Sequence, residues 1–579
     1  MEDTVRSRQR IIMILAVAIL SISVVAITNL HAEQTKADPV ITDYGTTGTL
    51  TWERYDNGDL VISGTGAMPD YANRSSTPWY SLLINLSSPK ITSIIISEGV
   101  TSIGSNSFGS PSSYYSTVSS VQISSTVVSI NSYAFQNQVL IESVTIPGSV
   151  LSIGQSAFDG CTGLQELVLS YGLTDISDLA FLNCSSLIEL VIPDSVISIG
   201  NSAFNRSGIQ ELSLGSGVTT IDSNAFSYCN SLIEVVIPDS VTIMGTYAFH
   251  GCSSLEQVSI GSGLISLSDF IFYSCTSLIE VSIPDNVTTI GQYAFGGCTS
   301  LREVVIPDSV TAIGGSAFTS CSSLREVVIP DSVTIMGNSL FYYCSSLERA
   351  YIYGQITAIP HSTFFGCMLL TDVLLPDGLT IIVDNAFSGC ASLTDISIPD
   401  SVDVIQFLAF ENCISLRSIS MSGDTIIAAD AFLRSSPQKL TVTSSSGFPP
   451  GVLSTHFDAW ALPGQSSVIR ILTIDTTDTV DLSPVAVLDG KILTLADQSI
   501  NTSGGVFYAQ DGETELFAAD RAGKTFAASN GVWVEIEVHT PDPDEDDGTD
   551  IFGFPLWAAV IVAALVGVLL GAIAMYIKE

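Results

Sequence analysis

The chain has 579 residues and a formal net charge of −39, from 19 basic and 58 acidic residues. Phosphate backbones would repel so acidic a chain, and we therefore expect no nucleic-acid partner. Only 13% of the residues are charged and 46% are hydrophobic. This balance favours a folded chain with an acidic exterior over a disordered one.

The N-terminus has the organisation of a secretory signal peptide. The basic stretch "RSRQR" precedes an apolar run from Ile11 to Ile27, and the small residue Ala32 follows a short polar stretch. We predict a signal peptide over residues 1–32. An uncleaved membrane anchor is the alternative.

The segment "LTWERYDNGDLVIS" consists of two alternating runs around Asn57 and Gly58. An Asn-Gly pair between such runs predicts a β-hairpin. The repeats that follow would expose apolar surface at an open end, so they need a cap. We predict an N-terminal β cap over residues 40–97.

A 23-residue repeat fills residues 98–436. The stretch "CTSLREVVIPDSVTAIGGSAFTSC" is followed at once by a near copy. A fixed period of this length predicts a solenoid, here of about fifteen coils. Phenylalanine marks the same position in every copy, at Phe108, Phe135, Phe158, Phe181, Phe204, Phe226, Phe249, Phe272, Phe295, Phe318, Phe341, Phe364, Phe387, Phe410 and Phe432.

Each coil has three parts. "LREVVIP" predicts a short strand that ends at its proline, with Val304 and Ile306 inward and Glu303 and Val305 outward. "VTAIG" predicts a second short extended piece. "SAFTSC" suits a helical turn that directs Phe318 inward. Two adjacent copies are stretched by "PSSYY", and a further copy, "AFNRSGIQ", is a residue shorter and lacks its cysteine. We expect a bulge at each.

The unit L-x-x-V-x-I-P-x-x-V-x-x-I-G-x-x-A-F-x-x-C resembles the BspA-like leucine-rich repeats of bacterial, archaeal and protist surface proteins. The resemblance covers roughly Ile91 to Phe432. It implies a right-handed leucine-rich-repeat solenoid, β-dominated with short helical turns. It also implies a role at the cell surface, commonly in adhesion.

Eleven cysteines recur in the repeat, without any C-x-x-C pair, which argues against a zinc site. Stacked side chains point in parallel, whereas a disulfide needs facing Cβ atoms. We interpret the cysteines as buried free thiols, with disulfides between coils as the alternative. They are Cys161, Cys184, Cys229, Cys252, Cys275, Cys298, Cys321, Cys344, Cys367, Cys390 and Cys413.

Two outward columns form the candidate partner-binding face. One column is mainly acidic and the other mainly apolar, and like charges stacked about 5 Å apart repel each other. A basic or partly apolar partner would fit such a face, with Tyr351 beside Arg349 as the expected anchor. The alternative is a solvated β face whose acids are neutralised by Arg302 and Arg325. The candidate residues are Glu280, Glu303, Val305, Glu326, Val328, Arg349, Tyr351, Asp372 and Leu374.

A third column places one aspartate in the turn after each strand, as at Asp194 and Asp239. Calcium takes six to eight oxygens, and one carboxylate per coil supplies too few. We expect these side chains to bond to backbone groups of the turn instead.

After the repeats, short β-like runs predict a β-rich module over residues 437–540. "PDPDEDDGTD" then forms an acidic linker over residues 541–550. We predict a transmembrane helix over residues 551–577, because Leu556 to Tyr576 carries no charge and is long enough to span a bilayer. The lipid bilayer is therefore an expected partner, with the repeats outside and a very short cytoplasmic tail.

No catalytic motif stands out. The five histidines are scattered, and neither a G-x-S-x-G elbow nor a phosphate-binding loop occurs. We expect no enzymatic activity, cofactor or metal. The leading function is cell-surface adhesion to an extracellular protein or glycan. A structural cell-envelope scaffold is the first alternative, and glycan binding or hydrolysis through residues 445–540 is the second.

Overall fold

The computed structural model describes residues 38–84, 90–422, 425–428, 430–435 and 437, together with seven strands between residues 439 and 536. The predicted signal peptide, acidic linker and transmembrane helix lie outside these residues. Within them, no helix is both long enough and apolar enough to cross a membrane.

The N-terminal unit is a three-stranded antiparallel sheet of β1 (Ile41–Thr47), β2 (Leu50–Tyr55) and β3 (Asp59–Gly64). The predicted hairpin is confirmed, since β2 and β3 pair across a turn in which Gly58 has a φ of 94°. Strand β3 then pairs in parallel with the first strand of the repeats, so the sheet continues directly into the solenoid.

Three short helical segments occur in the described part of the chain. Two are 3₁₀ turns, at Arg74–Ser76 and Ser113–Tyr115, and the third is helix α1 at Tyr80–Leu83. Trp79, at the start of α1, is fully buried, and its ring lies 5.2 Å from that of Phe108. The N-terminal unit therefore covers the first coil with an aromatic side chain.

Each coil contributes two short strands to two ladders. The first ladder contains the odd-numbered strands β5 (Ser93–Ile96), β7 (Ser120–Ile123), β9 (Ser143–Ile146), β11 (Glu166–Leu169), β13 (Glu189–Val191), β15 (Glu211–Ser213), β17 (Glu234–Ile237), β19 (Gln257–Ile260), β21 (Glu280–Ser282), β23 (Glu303–Val305), β25 (Glu326–Ile329), β27 (Arg349–Ile352), β29 (Asp372–Leu374), β31 (Asp395–Ser397) and β33 (Ser418–Met421).

The second ladder contains the even-numbered strands β4 (Gly66–Ala67), β6 (Val100–Ile103), β8 (Ser129–Ile130), β10 (Ser152–Ile153), β12 (Asp175–Ile176), β14 (Ser198–Ile199), β16 (Thr220–Ile221), β18 (Ile243–Met244), β20 (Ser266–Leu267), β22 (Thr289–Ile290), β24 (Ala312–Ile313), β26 (Ile335–Met336), β28 (Ala358–Ile359), β30 (Ile381–Ile382), β32 (Val404–Ile405) and β34 (Ile426–Ile427). Pairing is parallel within the repeats, so equivalent residues of successive coils lie side by side. Hydrogen bonding divides each ladder into three sheets, with breaks after β23 and β29 in the first ladder and after β18 and β26 in the second.

The first strand of each coil alternates as predicted. In β23, Val304 is 6% exposed, while Glu303 and Val305 are on the outer surface. The third part of the coil is a series of turns and not the expected helical turn. Ser316 and Ser320 have φ values of 56° and 58°, and residues in this left-handed conformation interrupt a right-handed helix.

A column of phenylalanine rings runs through the core. The fifteen rings are all buried, and neighbouring centroids lie 5.1–5.8 Å apart in nearly parallel planes. Fifteen phenylalanines enclose about fourteen turns of the solenoid, rather than the fifteen expected. Because each ring stacks on the rings before and after it, each coil is stabilised mainly by its two neighbours.

All eleven cysteines are free and buried, which confirms the thiol interpretation. Each Sγ donates a hydrogen bond of 3.1–3.5 Å to the phenylalanine carbonyl oxygen of the preceding coil. Burial raises the pKa of Cys298 to about 12, so its thiol stays neutral.

The expected bulge in the coil occurs at the "PSSYY" insertion, where Tyr114 is 72% exposed, and not at the short copy. In the short copy, Ser207 replaces the cysteine and donates to the Phe181 carbonyl oxygen at 3.2 Å. Gly208 makes the shortened loop possible, because a Cβ there would lie 2.1 Å from the Ser185 carbonyl oxygen. Strands β13 and β15 therefore pair without a register shift. The "PSSYY" insertion contains the second 3₁₀ turn, and β5 and β7 also pair in register.

Beyond the repeats, β35 (Lys439–Val442), β36 (Ile471–Ile474) and β37 (Ile492–Leu495) extend the sheet of β31 and β33 in parallel. Strands β40 (Thr525–Ser529) and β41 (Val532–Ile536) then add to it antiparallel. Strands β38 (Val506–Tyr508) and β39 (Glu515–Ala518) form a separate pair.

Candidate binding face

The nine predicted residues all lie on the first strands of five successive coils, whose outward side chains we call the strand face. Glu280 pairs in register with Glu303, and Ser282 pairs with Val305. The remaining six residues lie on β25, β27 and β29, which form a separate hydrogen-bonded sheet. The structure therefore brings the candidate residues onto one side of the solenoid in two groups.

The second group contains a mixed column of charges. Glu326, Arg349 and Asp372 lie in register on adjacent strands. The Arg349 guanidinium donates to Glu326 at 2.7 Å, and its distance to the Glu348 carboxylate is 3.7 Å. The hydrogen bond to Glu326 raises the pKa of Arg349 above its usual value. Arg349 therefore compensates part of the negative charge at this part of the strand face.

Tyr351 lies in the apolar column between Val328 and Leu374. Its hydroxyl donates to the Asp372 carboxylate at 2.8 Å, which raises the pKa of the phenol. Val328 and Leu374 are 39% and 43% exposed. The three side chains form an apolar patch in which two exposed aliphatic residues flank a half-buried aromatic ring.

The expected neutralisation by Arg302 and Arg325 does not occur. Among the residues that the structure describes, the ion pairs involve Arg54, Arg349 and Arg434. Glu280 and Glu303 thus face solvent without an ionic partner in that part of the chain. Arg349 forms an ion pair because it lies in register with Glu326. Arg302 and Arg325 each precede their strand by one residue and therefore lie outside the glutamate column.

Sequence reasoning missed the N-terminal half of the acidic column. Glu166, Glu189, Glu211 and Glu234 occupy the same position as Glu303 in earlier coils and pair in register with one another. All four are exposed and have no ion pair among the described residues. Extending the column back along the repeat would have found them.

Two of the turn aspartates bond to a backbone group as predicted, although that group lies in the next coil and not in their own turn. The Asp239 carboxylate accepts hydrogen bonds from the backbone N–H and the hydroxyl of Ser262, at 2.7 Å and 3.0 Å. The bond from the Ser262 backbone N–H lowers the pKa of Asp239 most, and the bond from its hydroxyl lowers it further. Asp194 makes the same two bonds with Ser216. These two aspartates thus each link one coil to the next.

A row of aromatic side chains was also missed. His250 lies among Tyr228, Tyr247 and Tyr273, with ring centroids 4.7–5.5 Å away. It is half-buried, and burial lowers its pKa. Tyr247, Phe270 and Tyr293 recur at intervals of 23 residues, and this spacing could have revealed the row.

Comparison with known protein families identifies the repeats. A family model described as the BspA type leucine rich repeat region matches residues 86–210, 219–348 and 337–448. A search of the curated proteins found no match.

Several solved structures are similar to the chain. A leucine-rich repeat protein from Bacteroides ovatus is 24% identical, with 70% of this chain and 94% of that one covered and a TM-score of 0.46. A leucine rich cell surface protein from Faecalibacterium prausnitzii is 27% identical, with 66% and 95% covered and a TM-score of 0.35. Because the family model matches more than half of its residues, this chain belongs to the BspA-type leucine-rich-repeat family.

Proposed function

We propose that the protein is a cell-surface binding protein that holds an extracellular macromolecule on its strand face. The observation that carries this proposal is the column of glutamates beside exposed aliphatic side chains, in which the glutamates from Glu166 to Glu303 form no ion pair with any residue that the structure describes. Val191, Val236 and Val305 are 51%, 54% and 65% exposed, and each lies two residues after a glutamate of the column.

The two columns would have different roles in binding. Apolar and aromatic side chains supply most of the affinity at protein interfaces, whereas charged side chains set the encounter rate and the choice of partner. The patch of Val328, Tyr351 and Leu374 would therefore anchor the partner. The unpaired glutamates from Glu166 to Glu303 would attract a partner with positive charge.

The proposed location rests on the sequence of the two ends. A secretory signal peptide at residues 1–32 would deliver the repeats to the exterior. An uncharged segment at residues 551–577 would hold them at the lipid bilayer. External protease applied to intact cells would then remove the repeats and leave a short membrane-embedded fragment. Protection of the repeats would contradict this location.

The test of function is a binding screen of residues 33–545 against intact cells, matrix proteins and glycans. The matched variant carries Glu189→Ser, Glu211→Ser and Glu234→Ser, since serine occupies the same position at Ser93, Ser120 and Ser143. We expect this variant to associate more slowly with the partner and to show a weaker dependence on salt. Equal binding by the two folded proteins would show that the glutamate column does not contribute to binding. Binding of the native protein to none of the probes would instead favour a structural scaffold of the cell envelope.

A further inference from the structure

A polar groove lies on the second ladder, away from the strand face. It has a volume of about 460 Å³ and crosses strands β12, β14 and β16 with the turns that follow them. Its lining includes the carboxylates of Asp175, Asp178 and Asp222, the amide of Gln155 and the hydroxyl of Ser198. We call these five residues the polar groove.

The carboxylates of the groove differ in their partners. Both oxygens of Asp175 accept hydrogen bonds, from the hydroxyls of Ser177 and Ser198 at 3.1 Å and 2.5 Å. Asp178 and Asp222 each use only Oδ1, which accepts a backbone N–H bond from Asn201 and Ser223 respectively. Their second oxygens accept no hydrogen bond from the described residues, and both side chains are exposed. Two acceptors therefore remain available to a ligand.

An aromatic row continues the line of the groove along the solenoid. Two residues after Asp222, Asn224 begins a column that continues in the next coils as Tyr247, Phe270 and Tyr293. Tyr247 and Phe270 stack with centroids 4.6 Å apart, and Phe270 and Tyr293 stack at 4.8 Å. These rings are half-buried, so part of each side chain is open to solvent.

We infer that the polar groove and the aromatic row together bind a neutral polysaccharide chain. Sugar hydroxyls can donate to the open oxygens of Asp178 and Asp222 and can bond to the Gln155 amide in either direction. Aromatic side chains with a polar tip suit a ligand that combines apolar C–H surface with hydroxyl groups.

Charge and shape distinguish this ligand from others. With a net charge of −39, the protein would repel anionic polymers. The lining offers mostly polar groups rather than the apolar pocket that a peptide side chain would fill. Both oxygens of Asp175 already accept hydrogen bonds, and no group of three or more metal-ligating side chains occurs among the described residues, which disfavours a cation. The repeated rings also fit a ligand that is itself a repeating chain.

The test uses the purified full-length chain in mild detergent and immobilised amylose, mannan and soluble cellulose derivatives. The groove variant carries Asp175→Ser, Asp178→Asn and Asp222→Gly. Other coils carry these residues at the same positions, at Ser152, Asn201 and Gly200, so the fold should be retained. The strand-face variant with Glu189→Ser, Glu211→Ser and Glu234→Ser removes the same number of charges and serves as the control.

We expect at least one neutral polysaccharide to bind, and its affinity to fall at least about tenfold in the groove variant and to stay unchanged in the strand-face control. Tyr293→Ser, which copies Ser316 of the next coil, should weaken the binding of long chains more than that of short oligosaccharides. Equal loss in both triple variants would show a charge effect and overturn the inference. Preference for polygalacturonate, binding of calcium alone at the groove, or no binding to any probe would also overturn it. Because the control alters only the strand face, these outcomes are separate from those that test the proposed function.

Discussion

The Tyr351 hydroxyl is hydrogen-bonded to the Asp372 carboxylate at 2.8 Å, which joins neighbouring coils across the outer surface. This bond holds a half-buried aromatic ring in one orientation before any partner arrives. A side chain that is already ordered loses less conformational entropy on binding. The ring is therefore well suited to be an anchor.

We expect Tyr351→Ala to weaken attachment to the partner at least about tenfold, because aromatic anchors contribute most at interfaces. Tyr351→Phe is the matched control, since it keeps the ring and removes only the bond to Asp372. Its affinity should lie between those of the other two proteins. The measurement is the dissociation constant for whichever partner the binding screen identifies. Unchanged attachment by a folded Tyr351→Ala protein would argue against an anchor at this position.

Phe318→Ala should destabilise the solenoid. The ring is fully buried, with neighbouring rings of Phe295 and Phe341 at 5.5 Å and 5.7 Å. Its removal leaves a cavity that should cost about 3–5 kcal/mol. Since coils contact only their neighbours, urea unfolding followed by circular dichroism should show an early local step. Glu303→Gln on the surface is the control, and a loss below about 1 kcal/mol for Phe318→Ala would contradict the packing role.

The buried thiols should be unreactive in the folded protein. All eleven are fully enclosed, and each donates a hydrogen bond within the core. A thiol reagent reacts with the thiolate, which a raised pKa suppresses. We therefore expect few cysteines to react under native conditions and most to react in denaturant without reductant. Five disulfides found by mass spectrometry would overturn this view.

The same thiols should make stability fall at high pH. Burial raises the pKa of Cys298 and Cys344 to about 12 from an ordinary value of 9.0. Above the ordinary value the unfolded chain loses protons that the folded chain keeps, so the unfolding free energy falls as pH rises from 9.0 towards 12. The stabilising effect is complete below this range.

Urea unfolding at about pH 8 and about pH 11 measures this loss. Tyrosine and lysine also titrate there, so the comparison needs a variant with Cys298→Ser and Cys344→Ser. Serine fits this position in the fold, as Ser207 shows. The serine variant should lose less stability between the two pH values than the native chain. An equal loss in both proteins would assign the effect to other groups.

The acidic column should make the fold more stable in salt. Glu189, Glu211 and Glu234 lie in register on strands about 4.8 Å apart, where like charges repel each other. Raising NaCl from about 10 mM to about 1 M screens this repulsion and should raise the urea midpoint. The triple serine variant should respond less to salt. An identical response in the two proteins would mean that the column has no effect on stability.

The strand pattern was predictable from the sequence because alternation within "LREVVIP" places Val304 inside and Glu303 outside. The phenylalanine column followed from the period alone. The turns did not follow, because the left-handed conformations of Ser316 and Ser320 have no signature in their residue type. The sequence therefore suggested a helical turn where the chain makes successive tight turns.

For the candidate site, the sequence predicted which residues share a face but not which of them form ion pairs. Periodicity places residues on a face, but ion pairs depend on register and side-chain reach. Arg349 finds Glu326, whereas Arg302 and Arg325 form no ion pair among the described residues. The polar groove involves residues that differ from coil to coil, so no repeated motif marks it.

Equivalent positions of different coils carry different small or polar residues, such as serine for cysteine at Ser207 and glycine for aspartate at Gly200, and the strands still pair in register. Nearly identical stretches, such as Cys298–Cys321 and the copy after it, also offer places where the gene could recombine with itself. Loss or gain of 23 codons would then remove or add a whole coil and leave the segments on either side of the repeats unchanged. Each event would change the reach of the protein by about 4.8 Å and its column of glutamates by at most one member. Descendants of this gene could therefore vary in length and charge in discrete steps, with the same core in every one.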